Sequence, residues 1–94
     1  MILSFRDHET RKIWDGVESR RLPGPIQVAA LRKLRLINAA KRVDDLAIPP
    51  GNRLERLRGN RRGEWSIRIN DQWRLCFRWT EGGAEDVEIV DYHR

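Results

Sequence analysis

The chain has one cysteine, two histidines and three lysines in 94 residues, and each scarcity closes a class of function. With Cys76 alone, no disulfide can form within the chain, and its place in an apolar run suits a small buried side chain better than a nucleophile. His8 and His93 stand far apart, so neither a zinc spacing nor a helical histidine pair exists, and no metal site is expected. His8, at the start of a predicted helix, reads as a solvated surface residue. Walker and dinucleotide phosphate loops are missing, as is a Gly-x-Ser-x-Gly elbow, so no cofactor is expected. No apolar run is long enough to cross a bilayer, and the opening MILSFRDHE lacks the apolar core and cleavage site of a secretory signal. A cytoplasmic protein with no membrane partner is the expectation.

What the chain does have is positive charge. Nineteen basic against fourteen acidic residues leave a net charge of +5, which favours a polyanionic partner: nucleic acid, an acidic protein or an anionic membrane surface. Sixteen of the basic residues are arginine, and a guanidinium grips phosphate with two hydrogen bonds and stacks on bases where an ammonium does not. That bias points to RNA or DNA, although GC-rich coding produces the same bias. Hydrophobic residues at 39% and charged residues at 35% suit a folded chain with a heavily charged surface, and the length suits one domain with one modest core.

The most ordered pattern is GEWSIRINDQWRLCFRW, from Gly63 to Trp79. Trp65, Ile67 and Ile69 share one parity, as do Trp73, Leu75, Phe77 and Trp79, while Ser66, Arg68, Arg74, Cys76 and Arg78 take the other. A period of two puts successive side chains on opposite faces of a sheet, so this stretch predicts two antiparallel strands broken at Asn70, Asp71 and Gln72. One face is greasy and buried. The other carries arginines and is the candidate working surface.

Upstream, Ile2, Leu3 and Phe5 make a short edge strand, and Asp7 caps a helix running to about Val17 with Ile13, Trp14 and Val17 buried. Pro23, Gly24 and Pro25 end that helix. From Ile26 to about Lys41 the apolar residues Ile26, Ala30, Leu34 and Ile37 recur at helical spacing and predict an amphipathic helix. Val43 to Ile48 has room for one more helical turn, and Pro49, Pro50 and Gly51 predict an extended connector and turn. Arg53, Arg56, Arg58, Arg61 and Arg62 then crowd around a Gly59-Asn60 turn, with Leu54 and Leu57 anchoring a short strand. After GGAED a final strand runs from Val87 to Tyr92. Helices first and consecutive strands after predict an α+β fold with two helices on one face of the sheet.

Chemistry has few places to live. Cleaving RNA requires a base for the ribose 2′-hydroxyl, positive charge for the phosphorane-like transition state and an acid for the leaving oxygen. The terminal Asp91, Tyr92 and His93 are residues of the right types, and arginine supplies the charge. Their parity is a complication, since Asp91 and His93 continue the register of Val87 and Ile89 whereas Tyr92 follows Glu88 and Val90. All three reach one pocket only if the tail leaves the strand.

Taken together, RLPGPIQVAALRKLRLINAA, LAIPPGNRLERLRGNRRGEWSIRINDQWRLCFRW and VEIVDYH resemble the HigB-type toxins of the RelE/ParE superfamily, over nearly the whole chain. The resemblance implies two N-terminal helices packed on a curved, mainly antiparallel sheet. It implies an endoribonuclease that needs no metal and cuts mRNA in the decoding site of the 70S ribosome. It also implies a HigA-like helix-turn-helix antitoxin, with the toxin-antitoxin complex binding operator DNA. Position by position, His93 matches a proton shuttle, Asp91 a base or orienting carboxylate, and Tyr92 a residue that positions the nucleotide. Arg74 and Arg58 match basic positions that hold the scissile phosphate, with Arg56 and Arg68 as further RNA-binding candidates. Glu55 stands where some relatives have histidine; it serves as the base or pairs with nearby arginines, and the ion pair is favoured. Arg68 and Arg78 have a plainer reading too, solvated or paired with Glu64, Glu85 or Glu88. Two other functions keep the fold: a ParE-type gyrase inhibitor that acts by binding, and a non-toxic relative retained to bind antitoxin.

Overall fold

In a computed structural model the described residues are 1–92. Asp7 adopts an extended conformation and its carboxylate accepts the Thr10 backbone N–H at 3.1 Å, capping α1, His8–Trp14. A cap of this kind contributes about 1 kcal/mol. The helix stops short of the expected Val17 because Gly16 enters the left-handed region at φ +78, and the Val17 N–H closes back on the Lys12 carbonyl at 2.8 Å. Ile13 is buried as expected, but Val17 lies beyond the helix and is exposed. The second helix, α2, Gly24–Ala39, buries Ile26, Ala30, Leu34 and Ile37, the four residues of the predicted stripe. It starts earlier than Ile26 because Pro25, which lacks an N–H, fits the first turn where that N–H has no partner.

Four strands follow: β1, Glu55–Arg56; β2, Glu64–Arg68; β3, Trp73–Thr80; β4, Gly83–Asp91. They form one sheet in chain order, each antiparallel to the next. The turn between β2 and β3 forms where the alternation breaks, because the Asn70 side-chain oxygen accepts the N–H groups of Gln72 and Trp73. Register places Ile67 beside Leu75 and Leu75 beside Ile89, so one sheet face is continuous with the helix stripe. Ile67, Leu75, Phe77, Val87, Leu34 and Ile37 have no exposed surface, and burial of each such side chain is worth about 1.5–3 kcal/mol. The two helices on a mainly antiparallel sheet are the expected α+β arrangement.

Two further boundaries differ from expectation. The last strand begins at Gly83 rather than Val87, since Thr80 already pairs with Gly83 and its hydroxyl donates to the Gly83 carbonyl at 3.1 Å. The N-terminal segment pairs with β4 in parallel through isolated bridges at Ile2 and Phe5, without becoming a continuous strand. The connector is extended at Pro49 and then turns, as expected, Pro50–Asn52 curling into a 3-10 turn. Asn52, wholly buried, drives the curl by donating to the Leu46 and Ile48 carbonyls at 3.2 and 3.4 Å while accepting the Lys33 ammonium from α2.

The opposite face of the sheet is not an open basic surface. Glu64, Ser66, Arg74 and Cys76 on it are all buried. Arg61 lies across Glu64 and Glu88 at 3.1 and 3.2 Å, and Arg6 reaches the same two carboxylates at 3.6 and 3.5 Å. Arg68 and Arg78 pair elsewhere than expected, with Asp71 at 2.5 Å and Asp86 at 3.6 Å. The end of this face nearest the 70–72 turn is open. Among the described residues no helix is long and apolar enough to cross a membrane.

Candidate functional site

At that open end lies a cleft of about 940 Å³ bordered by Arg53, Glu55, Arg68, Arg74, Tyr92 and the 70–72 turn. Its organising residue is Arg74, 9% exposed. Strand parity brings Arg74 to the same face as Ser66, whose hydroxyl accepts the Arg74 Nε–H at 2.8 Å. Arg74 Nη2 donates to the Arg53 carbonyl, and Nη1 stands 3.9 Å from Glu55 Oε1. The guanidinium carbon is 5.9 Å from the centre of the Tyr92 ring, within cation-π range. A buried charge is costly unless its hydrogens find acceptors; here neutral oxygens take Nε and Nη2, and the half-exposed Glu55 carboxylate is the ion-pair partner on the Nη1 side.

Tyr92 closes one wall. Its N–H donates to the Gln72 carbonyl at 2.6 Å, and its hydroxyl is 3.5 Å from Cys76 Sγ. Burial, and after it the hydrogen bond with Cys76, pushes the phenol up to about 12, so the ring carries its proton at neutral pH. Burial likewise pushes the Cys76 thiol up, which keeps it a thiol and fits the structural role expected of it.

The remaining candidates divide. Glu55, Arg68, Arg74 and Tyr92 share the cleft. Asp91 is the last residue of β4, registered against Trp73, and its Oδ1 accepts Gln72 Nε2 at 3.1 Å. Its parity is that of Ile89, as anticipated, and Tyr92 lies on the other side. His93 falls outside the described residues. Arg58 and Arg56 border a second cleft of about 820 Å³ with Leu57, Gly59, Arg62 and Gly63, and do not meet Arg74 in the first. Arg56 rests its guanidinium over the Trp65 ring at 5.5 Å, because Glu55 and Arg56 are consecutive on β1 and face opposite ways.

Sequence reasoning passed over two contributors. Ser66 looked like a simple polar strand residue, yet its parity with Arg74 was the available signal. The Arg53 carbonyl had no such signal, for its role depends on a left-handed backbone at φ +47 that only the folded connector sets.

Residues 3–93 match the family described as the RelE-like toxin of type II toxin-antitoxin system HigB. Among curated proteins, the chain is 45% identical to Toxin HigB-1 of Vibrio cholerae serotype O1 over 95 residues, covering 100% of this chain and 99% of that protein. It is 28% identical over 97 residues to Endoribonuclease HigB of Proteus vulgaris, covering 99% and 100% of the two chains. A Haemophilus influenzae protein is 33% identical over 86 residues, covering 90% of this chain and 85% of the other. With the fold, the cleft and a family match along almost its whole length, the chain belongs to the HigB-like family of RelE-like toxins of type II toxin-antitoxin systems.

Proposed function

We propose that this toxin is an endoribonuclease that cuts mRNA on the 70S ribosome, by attack of a ribose 2′-hydroxyl on the adjacent phosphate. The observation that carries the reading is the buried guanidinium of Arg74, held in an open cleft beside an aromatic ring. A guanidinium so placed stabilises charge that develops on phosphate oxygens, and because its acceptors are already set it needs no reorganisation when the charge appears. Arg68, paired with Asp71, lies at the cleft margin. Tyr92, protonated, positions the nucleotide by its ring and hydroxyl and does not act as the base. Glu55, beside Arg74, and Asp91, at the strand end, are the candidate bases, and His93 supplies the proton to the leaving oxygen. The Proteus vulgaris relative, an endoribonuclease by name, supports RNA as the substrate. Arg56 and Arg58, in the second cleft, hold the ribosome or the RNA backbone away from the scissile bond.

The partners follow from the same reading. Family membership implies an antitoxin, and a HigA-like helix-turn-helix protein that carries the toxin to operator DNA is the proposed one. The decisive experiment incubates purified toxin with programmed ribosomes and with the same mRNA alone, and maps the 5′ ends produced. Cleavage confined to the ribosome-bound message is expected; equal cutting of naked RNA removes ribosome dependence. Arg74→Ala should lower the cleavage rate by about 10²–10³, the usual cost of removing one transition-state donor, and His93→Ala should abolish growth inhibition. DNA double-strand breaks with intact mRNA after induction would transfer the function to gyrase.

A further inference from the structure

The guanidinium in the cleft is held in place by residues behind it. Ser66, with no exposed surface, takes the Arg74 Nε–H on its hydroxyl, and its carbonyl lies 3.4 Å from Nη2. The Arg53 carbonyl accepts Nη2 as well. Arg53 follows directly on Asn52, whose three side-chain partners, Leu46, Ile48 and Lys33, tie the connector to the body of the protein. A guanidinium has five N–H groups in a fixed fork. With the Nε and Nη2 hydrogens taken from behind, the Nη1 side is the edge turned toward the cleft, where the Glu55 carboxylate stands 3.9 Å away.

We propose that Ser66 and Asn52 are positioning residues for the cleavage reaction, Ser66 fixing the plane of the Arg74 guanidinium through Nε and Asn52 fixing the backbone carbonyl that holds Nη2. The proposal rests on the ribonuclease reading given above. Neither residue touches the RNA. Ser66 acts through a side chain on the neighbouring strand, and Asn52 acts through one peptide group, so α2 is linked to the cleft by the path Lys33, Asn52, Arg53, Arg74. Arginine side chains are long, and an unheld one spreads its charge over several rotamers; small misplacement of a group that must meet the transition state costs rate far more than it costs binding.

The test reads geometry and catalysis separately. In nitrogen-15 spectra of the arginine side chains, Arg74 Nε–H, assigned by its disappearance in Arg74→Lys, should give a resolved, slowly exchanging signal. Ser66→Thr, which keeps the hydroxyl, should retain that signal, and Ser66→Ala should exchange as fast as the exposed arginines. On programmed ribosomes Ser66→Ala should lower kcat by about 10- to 100-fold with little change in KM, and Ser66→Thr should restore most of it. Lys33→Met, which removes a donor from Asn52 without opening the core, should weaken the Arg74 signal and kcat in parallel, and serves if Ser66→Ala fails to fold. A Ser66→Ala protein with a protected Nε–H and unchanged kcat overturns the role of Ser66; unchanged signal and kcat in Lys33→Met overturn the path through Asn52. If the wild-type protein cuts no ribosome-bound mRNA, the ribonuclease reading fails, while the spectra still decide whether these residues hold the guanidinium.

Discussion

At the scale of single residues, the two side chains that meet over the cleft are controlled by what lies beneath them. Tyr92 is the only tyrosine in the chain, which makes its ionisation directly visible as tyrosinate absorbance. Its pKa is raised to about 12 by burial and then by Cys76, whereas in an unfolded chain a tyrosine titrates near ~10. The folded protein therefore holds a proton that the unfolded chain loses first. The resulting stability is fully present below about 10 and falls away as pH rises toward 12. The absorbance midpoint of the native protein should lie near 12 and move down in denaturant. Cys76→Ala should lower the native midpoint only in part, because burial, the larger cause, remains. A native midpoint equal to the denatured one would mean that the hydroxyl is fully hydrated, and the Cys76 contact would then have no standing.

At the scale of elements, β4 carries more than its share, joining β3 on one edge and the N-terminal segment on the other. The close approach is at Gly83, φ +135, where a Cβ would sit 2.0 Å from the Met1 carbonyl oxygen. That oxygen accepts the Ala84 N–H at 2.8 Å, so it has no freedom to retreat without losing the bond. Gly83→Ala should destabilise the protein by about 1–3 kcal/mol from the backbone conformation alone, and by more as the N-terminal bridge opens. A denaturant titration measures the first effect and limited proteolysis near residue 5 the second; wild-type behaviour in both would mean the segment docks loosely. The strand's early start illustrates what alternation conveys. In Val87 and Ile89 the period is plain, but Gly83 to Asp86 carry no apolar alternation, and their pairing is dictated by the register of Thr80 across the turn. Val17 shows the same limit at a helix end: its spacing suited the buried stripe, and a left-handed glycine one residue earlier removed it.

At the scale of the whole molecule, the parity of Trp65, Ile67, Leu75 and Phe77 revealed one buried face correctly and left the other misread. Ser66, Arg74 and Cys76 alternate with the greasy set, which is all that a local pattern can report, but they too are buried: Arg6 reaches Glu64 and Glu88 from the N-terminal segment, Arg61 reaches Glu88 on β4, and the Arg53 carbonyl and the Tyr92 ring close over Arg74. Long-range ion pairs leave no periodic trace. The cleft was legible as far as Arg74, Arg68, Glu55 and Tyr92; the separation of Arg56 and Arg58 from it followed from the direction of a two-residue strand. Under the proposed function, the net charge of +5 implies that binding to the ribosome would release counterions. Affinity for ribosomes should fall linearly with salt on logarithmic axes, and Arg58→Ala should reduce that slope by about 1 if Arg58 contacts a phosphate. Binding indifferent to salt would assign the contact to other forces. Between the two clefts stands β1, Glu55 and Arg56, a partition with a carboxylate on one side and a guanidinium on the other. Because each residue changes side with every step along a strand, the length of the segment from Asn52 to β1 matters as much as its composition. Inserting one residue there would exchange the two faces, turning an arginine toward the cleft of Arg74 and a glutamate toward the second cleft, an inversion of polarity that no change of net charge would announce.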